Sequence, residues 1–219
     1  MKPELKARLI RTLILCLLAF GVGAGISYMQ VRSQNATILK QSESPSDAGV
    51  AGLKIGGPFI LENQDGESVT QEILEGHYNL IYFGFTYCPA ICPTELQKIT
   101  RVMKGLEEKA PDIAAKIQPV FITIDPERDT AVLLKDYMSL FHPKLIGLTG
   151  TVPQIDHAKK IYRIFARKVY EEGAPEDEYT MDHSSYIYLL DPQGTLLAMY
   201  RTQDAADFMY EDVKSKIDL

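Results

Sequence analysis

The sequence lacks tryptophan, has only three cysteines in 219 residues and carries a formal net charge of −6. Beyond residue 32 the acidic residues outnumber the basic ones by 28 to 18, without a basic stripe. This acidity argues against nucleic-acid binding. The chain also has no internal repeat, glycine-rich phosphate loop or low-complexity tract. With 46% hydrophobic and 24% charged residues, the composition fits one globular domain and a separate segment.

That segment is dominated by residues 12–31, an uncharged apolar run long enough to cross a bilayer as a helix. Four basic side chains in residues 1–11 predict a cytoplasmic N-terminus by the positive-inside rule. A cleaved signal peptide is the alternative, because the small residues 23–25 resemble a cleavage site. The run continues apolar past them, so the pattern favours an uncleaved transmembrane anchor.

The anchor precedes a flexible tether at residues 32–52, rich in polar residues and without periodicity, and a domain at residues 53–219. Because the anchor lies so near the first residue, the sequence leaves no room for an organelle presequence. We therefore expect a bacterial plasma (inner) membrane protein with one span. Its domain would lie on the extracytoplasmic or periplasmic side.

Two cysteines lie outside the apolar run, Cys88 and Cys92, with three residues between them. An apolar and aromatic stretch at 78–85 predicts a buried strand before them, and Pro93 predicts the start of a helix after them. Thiols at such a turn can bind a soft metal or form a disulfide, and a helix N-terminus favours thiolate. Two buried structural cysteines are the alternative interpretation.

His183 is the best candidate for a third metal ligand. The patterns around the other histidines predict a solvated helix face for His157, a helix end for His142 and a polar turn for His77. His183 instead comes directly before the apolar strand at 186–190, where loop residues often carry function. On the residues alone, a structural role for His183 stays open.

Strands that alternate with helices predict an α/β domain with a mostly parallel sheet, followed by an antiparallel hairpin. The predicted elements are a hairpin of strands 58–61 and 67–70, strand 79–85, helix 93–109, strand 117–124, helix 130–141, strand 145–148, helix 153–165, a hairpin of strands 185–190 and 196–200, and a helix from 205. The acidic segment 167–182 is interpreted as a solvated loop, or alternatively as a mobile flap that brings His183 to the thiols.

Asp125 follows a predicted parallel strand, as the cysteine turn does. Because ligands bind outside the carboxyl ends of such strands, we expect Asp125 on the same edge of the sheet as Cys88 and Cys92. An aspartate before a proline also often caps a turn, so both interpretations remain.

Three motifs in order resemble the Sco/SenC family of copper-binding, thioredoxin-like proteins. They are Thr86-Tyr87-Cys88-Pro89-Ala90-Ile91-Cys92-Pro93, Thr123-Ile124-Asp125-Pro126-Glu127-Arg128-Asp129-Thr130, and Asp182-His183-Ser184-Ser185 followed by Tyr188-Leu189-Leu190-Asp191-Pro192-Gln193-Gly194. The resemblance implies a thioredoxin-like mixed sheet flanked by helices, with an N-terminal hairpin. It implies that Cys88, Cys92 and His183 bind copper, as Cu(I) or Cu(II), and that Asp125 tunes metal binding or contacts a partner. Ala131 departs from the proline of many members.

Two functions from different classes follow. A membrane-anchored copper chaperone would take copper from a donor and deliver it to the dicopper site of the copper-bearing subunit of cytochrome c oxidase, as the resemblance implies. A thiol–disulfide oxidoreductase would reduce the cysteines of that site, with Cys88 and Cys92 as the redox pair, and would itself need a thiol reductant. Only the chaperone requires His183. A peroxidase is less compatible, because no motif places an arginine beside a single reactive cysteine.

Overall fold

A computed structural model describes residues 51–218, except 172, 174, 176 and 177, together with Gly23, Gly25, Met29 and Gln30. The chain divides into two units, Met1–Ser44 and Pro45–Leu219, and the strands and helices of the domain lie in the second. Apart from those four residues, the predicted anchor at 12–31 lies outside the described residues. Within the described part, no helix combines the length and the apolar character needed for a membrane span.

Nine strands and five α-helices make up the described domain. In chain order they are β1 Ile60–Asn63, β2 Ser68–Thr70, a 3-10 turn Gln71–Leu74, β3 Tyr78–Gly84, α1 Ile91–Lys109, α2 Pro111–Ala114, β4 Ile117–Thr123, α3 Ala131–Met138, β5 Ile146–Thr149, α4 Val152–Ile161, β6 Ala166–Tyr170, β7 Tyr179–His183, β8 Tyr186–Leu190, β9 Leu196–Arg201 and α5 Ala206–Ile217.

Seven strands form one mixed sheet in the order β2-β1-β5-β4-β3-β8-β9. The central strands β3, β4 and β5 are parallel, whereas the outer pairs are antiparallel. Strand β3 is buried on both faces, from Asn79 to Gly84, and therefore reads as a continuous apolar run rather than an alternating one. The predicted thioredoxin-like architecture of a mixed sheet flanked by helices, with an N-terminal hairpin of β1 and β2, is confirmed.

Helix α1 packs its apolar stripe on this sheet and thereby fixes the turn that precedes it. Leu96, Ile99, Met103 and Leu106 recur at helical spacing and are fully buried. Burying each such side chain stabilises the fold by roughly 1.5–3 kcal/mol, so the N-terminal end of α1 is held firmly over the end of β3.

The prediction of a loop over the whole of 167–182 was wrong, because strands β6 and β7 occupy half of that segment. They pair as a separate antiparallel hairpin in which Tyr170 faces Tyr179 and Ala166 faces His183. Along β7, half-buried residues alternate with exposed ones, which is the two-residue period of a strand. His183, which was predicted at a junction between a loop and the strand at 186–190, lies just before that strand, β8, but is itself the last residue of β7.

The fourth helix is shorter than predicted. It ends at Ile161, and Arg163 adopts a left-handed backbone conformation with φ of 58°. A residue in that region cannot continue a right-handed helix, so the predicted extension to residue 165 was wrong. The chain turns here into β6, which starts the hairpin that carries His183.

Candidate metal and thiol site

Cys88 and Cys92 lie at the turn between β3 and α1, as the spacing predicted. The N–H of Cys88 donates to the carbonyl of Phe85 (3.3 Å), which folds the chain back after the strand. Cys92 is the second residue of α1. Cys88 is half-buried, Cys92 is fully buried, and both are free thiols rather than a disulfide. The sulfur of Cys88 is therefore accessible to a partner, whereas the sulfur of Cys92 is shielded from solvent.

The two thiols differ in acidity because of their positions. The Cys92 thiol donates to Cys88, and the backbone N–H groups of Cys92, Ala90 and Ile91 add to this, so the pKa of Cys88 falls to about 5 despite partial burial. The N–H of Cys92 lies 3.3 Å from Cys88 Sγ. The same pairing and burial raise the pKa of Cys92. At neutral pH Cys88 is thus a thiolate that is stabilised by the first turn of a helix, next to a protonated thiol.

His183 meets this pair from the opposite hairpin. Its Nδ1 lies 2.9 Å from the carbonyl oxygen of Ser184, which can only accept, so Nδ1 carries the proton. Burial lowers the pKa of His183, which keeps the ring neutral. The remaining nitrogen, Nε2, has a free lone pair and lies 3.8 Å from Cys92 Sγ. A hydrogen bond that fixes the tautomer in this way is typical of imidazoles that serve as metal ligands.

Aromatic rings hold the imidazole in place. The ring of Phe85 contacts His183 edge-on with centroids 5.9 Å apart, and the ring of Tyr82 does so at 6.4 Å. The hydroxyl of Tyr82 also donates to Cys92 Sγ (3.5 Å) and lies 3.0 Å from Ser185 Oγ. Sequence reasoning missed Tyr82. Its only signal was a hydroxyl-bearing residue inside an otherwise apolar strand, where a buried hydroxyl needs a partner.

Asp125 does not meet the thiols through any described hydrogen bond. Its carboxylate accepts from the Tyr179 hydroxyl (2.7 Å) and from Arg128 Nε (2.6 Å), and it is almost fully buried. Its carbonyl also accepts from the N–H of Asp129 (2.9 Å), as expected for a turn residue. Asp125 therefore lies at the predicted edge of the sheet, but it contacts the hairpin that carries His183 rather than the cysteine turn.

Asp129 was missed by the sequence reasoning, although it supports the cysteine turn. Its buried carboxylate accepts from the backbone N–H of Thr86 (3.0 Å) and from the Thr123 hydroxyl (2.6 Å). Burial raises the pKa of Asp129, although these hydrogen bonds favour the ionised form. The bonds tie the start of the cysteine turn to the end of β4.

A cleft of about 280 Å³ opens between the cysteine turn and the hairpin, lined among others by Cys88, Met181 and His183. Two larger clefts of about 600 and 740 Å³ include neither cysteine. Among the residues that the structure describes, no group of three or more histidine, cysteine, aspartate or glutamate side chains is arranged to hold a metal ion as it stands. The described contacts of Cys92 with Cys88 and with His183 have hydrogen-bonding distances.

A sequence profile of the SCO1/SenC family matches residues 48–218. The chain belongs to the SCO1/SenC family. The SCO2-like protein RC0895 of Rickettsia conorii is 37% identical over 213 residues, which cover 97% of this chain and 100% of that protein. The whole of that bacterial relative therefore aligns with nearly the whole of this SCO1/SenC member.

Solved structures agree with the fold and describe relatives with copper. ScoI of Arabidopsis thaliana with copper bound is 38% identical and has a TM-score of 0.68, and the alignment covers 75% of this chain and 98% of the ScoI chain. BsSco, described as having a disulfide switch and as a member of the Sco family of cytochrome c oxidase assembly proteins, is 27% identical with a TM-score of 0.58. That alignment covers 78% of this chain and 98% of the BsSco chain.

Proposed function

We propose that this SCO1/SenC protein is a copper chaperone that holds one copper ion on Cys88, Cys92 and His183. The observation that carries the proposal is the approach of His183 Nε2 to within 3.8 Å of Cys92 Sγ, across 91 positions of sequence. Thiolates select soft ions such as Cu(I), and an imidazole added to them suits Cu(II) as well. The copper-bound relative from Arabidopsis thaliana supports the choice of metal.

The separation of two of these donors, Cys92 Sγ and His183 Nε2, supports the proposal. With bond lengths typical of protein zinc sites, about 2.3 Å to sulfur and about 2.05 Å to nitrogen, two ligands at a trigonal angle lie about 3.8 Å apart. The observed separation of Cys92 Sγ and His183 Nε2 is 3.8 Å. Cys88 supplies a thiolate beside them, since its pKa lies at about 5. Copper is the cargo in this proposal, and the protein contributes soft ligands that an acceptor with similar ligands can replace.

The acceptor that we propose is the dicopper site of the copper-bearing subunit of cytochrome c oxidase. The support is the description of BsSco as a member of a family of oxidase assembly proteins. The half-buried Cys88 borders the cleft, so an incoming ligand reaches copper from that side. The chain would be loaded by a separate copper donor.

Substitution of His183 by alanine tests the ligand set. We expect Cu(II) affinity to fall by about 10- to 100-fold and Cu(I) affinity to fall less, because Cu(I) remains two-coordinate on the thiolates. The measurement is competitive titration of the reduced protein with each ion, and His77→Ala, at an exposed histidine, is the control. Unchanged affinity for both ions in His183→Ala would remove His183 from the site.

A second candidate is reduction of a partner disulfide, favoured by the acidity and exposure of Cys88 beside a shielded Cys92. The Cys88 thiolate would attack one partner sulfur, forming a mixed disulfide and releasing the other partner sulfur as a thiolate. Cys92, after losing its proton, would attack Cys88 Sγ and release the second partner thiolate. The partner is then reduced and the chain holds a Cys88–Cys92 disulfide. Rates of this exchange should change little in His183→Ala.

We also propose the membrane arrangement expected from the sequence, with a cytoplasmic segment at 1–11, an anchor at 12–31, a tether at 32–52 and the copper-binding domain outside the cytoplasm of a bacterium. The support is the pattern of charge and apolarity together with the full-length bacterial relative. The intact mass of the protein purified from membranes decides between an anchor and a cleaved signal. A chain that starts near residue 26 contradicts the anchor.

A further inference from the structure

The hairpin of β6 and β7 is a separate sheet, so side-chain contacts, together with the short link from His183 to β8, hold it over the cysteine turn. Its strands are linked to the loop that follows β4 through Asp125, Glu127 and Arg128. The proposed function requires His183, at the end of β7, to stay next to Cys92. The residues that dock the hairpin therefore control the site.

Arg128 lies at the centre of this docking. Its guanidinium lies over the ring of Tyr179 (3.7 Å to the centroid) and over the ring of Tyr87 (4.7 Å). Its Nη1 donates to the carbonyl of Tyr179 (2.8 Å), and its Nε donates to Asp125 (2.6 Å). Nη2 is buried without a described hydrogen-bond partner. A planar cation suits such a position between two rings, because it stacks and donates in its plane at once.

The two rings belong to the two halves of the site. Tyr87 directly precedes Cys88, and Tyr179 begins the strand that His183 ends. Tyr179 and His183 point to the same face of β7, since they are four residues apart in a strand. Besides the contacts of Cys92 and Phe85 with His183, Arg128 thus gives a further link between the cysteine turn and the histidine strand.

Asp125 fixes the guanidinium in this place. Its side chain is 1% exposed and that of Arg128 is 17% exposed, so the ion pair is largely shielded from water. The second carboxylate oxygen of Asp125 accepts from the Tyr179 hydroxyl, so one carboxylate holds both the cation and a ring that it stacks on. The pair leaves Arg128 little freedom to follow any other arrangement of the hairpin.

From these contacts we propose that Arg128 is a positioning residue for His183, which acts by clamping Tyr179 of the hairpin to Tyr87 of the cysteine turn. This inference rests on the proposed function for its effect on copper. Its effect on the hairpin does not depend on copper. Asp125 serves the clamp by holding Arg128, which gives this residue a role other than metal ligation.

Arg128→Lys is the main test, because lysine keeps a charge beside Asp125 but loses the planar fork. Tyr87→Ala is the second variant, since the side chain of Tyr87 is 60% exposed and its loss spares the core. In each we expect a loss of Cu(II) affinity of about tenfold, as for other residues that orient a ligand. Arg101→Lys, at an exposed arginine of α1, is the matched control and should behave as the parent.

A double-mutant cycle with His183→Ala separates positioning from general damage. If Arg128 acts through His183, adding Arg128→Lys to His183→Ala should cost no further Cu(II) affinity. Equal losses with and without His183 would overturn the proposal, and so would parent-like Cu(II) affinity in Arg128→Lys alone.

A measurement on the reduced, metal-free chain completes the test. Amide hydrogen exchange at Tyr179–His183 should become faster in Arg128→Lys, while exchange in β3 stays as in the parent. Unchanged exchange in β7 would refute the clamp whatever the copper result. If the parent itself bound no copper, the proposed function would fall, and this exchange experiment would still decide the role of Arg128.

Discussion

Replacing Gly84 with alanine tests how closely the protein packs around Cys92. A β-carbon at this position would lie 2.9 Å from Cys92 Sγ, 2.9 Å from Cε1 of Tyr82 and 3.0 Å from Cε2 of Phe121. All three neighbours are fully buried, and two of them are rings. None is the free end of a flexible chain, so the added methyl group forces packed atoms to move.

The expected cost is that of overpacking a core, about 1–3 kcal/mol. For a protein of this size, each kcal/mol lowers the Tm by about 2–4 °C, so a fall of about 2–12 °C follows. The sulfur of Cys92 is one of the atoms that must move. Copper affinity should therefore decrease too, with the Cu(I) and Cu(II) affinities both affected, because both ions use this thiolate in our proposal.

Urea unfolding followed by far-ultraviolet circular dichroism measures the change in stability, and competitive titration measures copper binding. Gly105→Ala is the control, because the added β-carbon there would approach the half-buried ring of Tyr210 only to 3.3 Å. It also gains about 0.8–1 kcal/mol of helix propensity, which offsets that contact. If Gly84→Ala unfolded at the same urea concentration as the parent, the packing argument around Cys92 would be refuted.

Two further predictions concern the cysteine turn. The rate of Cys88 alkylation should rise with pH with a midpoint near its pKa of about 5, and the midpoint should move upward in Cys92→Ala, because the main hydrogen bond to the thiolate is lost. An unshifted alkylation midpoint in Cys92→Ala would contradict the role of Cys92 as hydrogen-bond donor to Cys88. Since the folded pKa of Cys88 lies below that of an unfolded cysteine, about 8.5, the reduced protein should also gain stability as pH rises between these two values. Asp129→Asn should destabilise by about 1–3 kcal/mol in urea unfolding, because both carboxylate oxygens accept hydrogen bonds from Thr86 and Thr123, whereas an amide has only one acceptor oxygen. The exposed Asp136→Asn should have little effect. Equal stability of the two aspartate variants would remove Asp129 from the support of the turn.

The central part of the fold was predictable because its strands and helices have clear periods. The apolar run of β3 and the stripe of α1 predict a buried strand followed by a helix, and together they place Cys88 and Cys92 at the turn. Asp125 was placed correctly at the carboxyl end of β4 by the same reasoning. These predictions depend on local patterns, which sequence reports directly.

The hairpin of β6 and β7 was not predictable in the same way. Its strands are short and half-exposed, and the acidic residues between them suggested a loop. The contact of Arg128 with Tyr87 and Tyr179 joins residues 41 and 51 positions apart, and no local period reports such a pairing. Tyr82 was missed for a related reason, since the partner of its hydroxyl is set by the packing of α1 on the sheet.

The unequal thiols connect the two candidate functions. At neutral pH the pair holds one proton, on Cys92. The sulfur of Cys92 also accepts a hydrogen bond from the Tyr82 hydroxyl and faces Nε2 of His183. In our proposal copper replaces that proton, because only a thiolate is a strong soft ligand, and release of the Cys92 proton also precedes closure of a disulfide. Metal binding and oxidation therefore pass through the same deprotonated pair. In this proposal a disulfide would remove both thiolates at once, so the oxidation state of the pair would decide whether the protein carries copper.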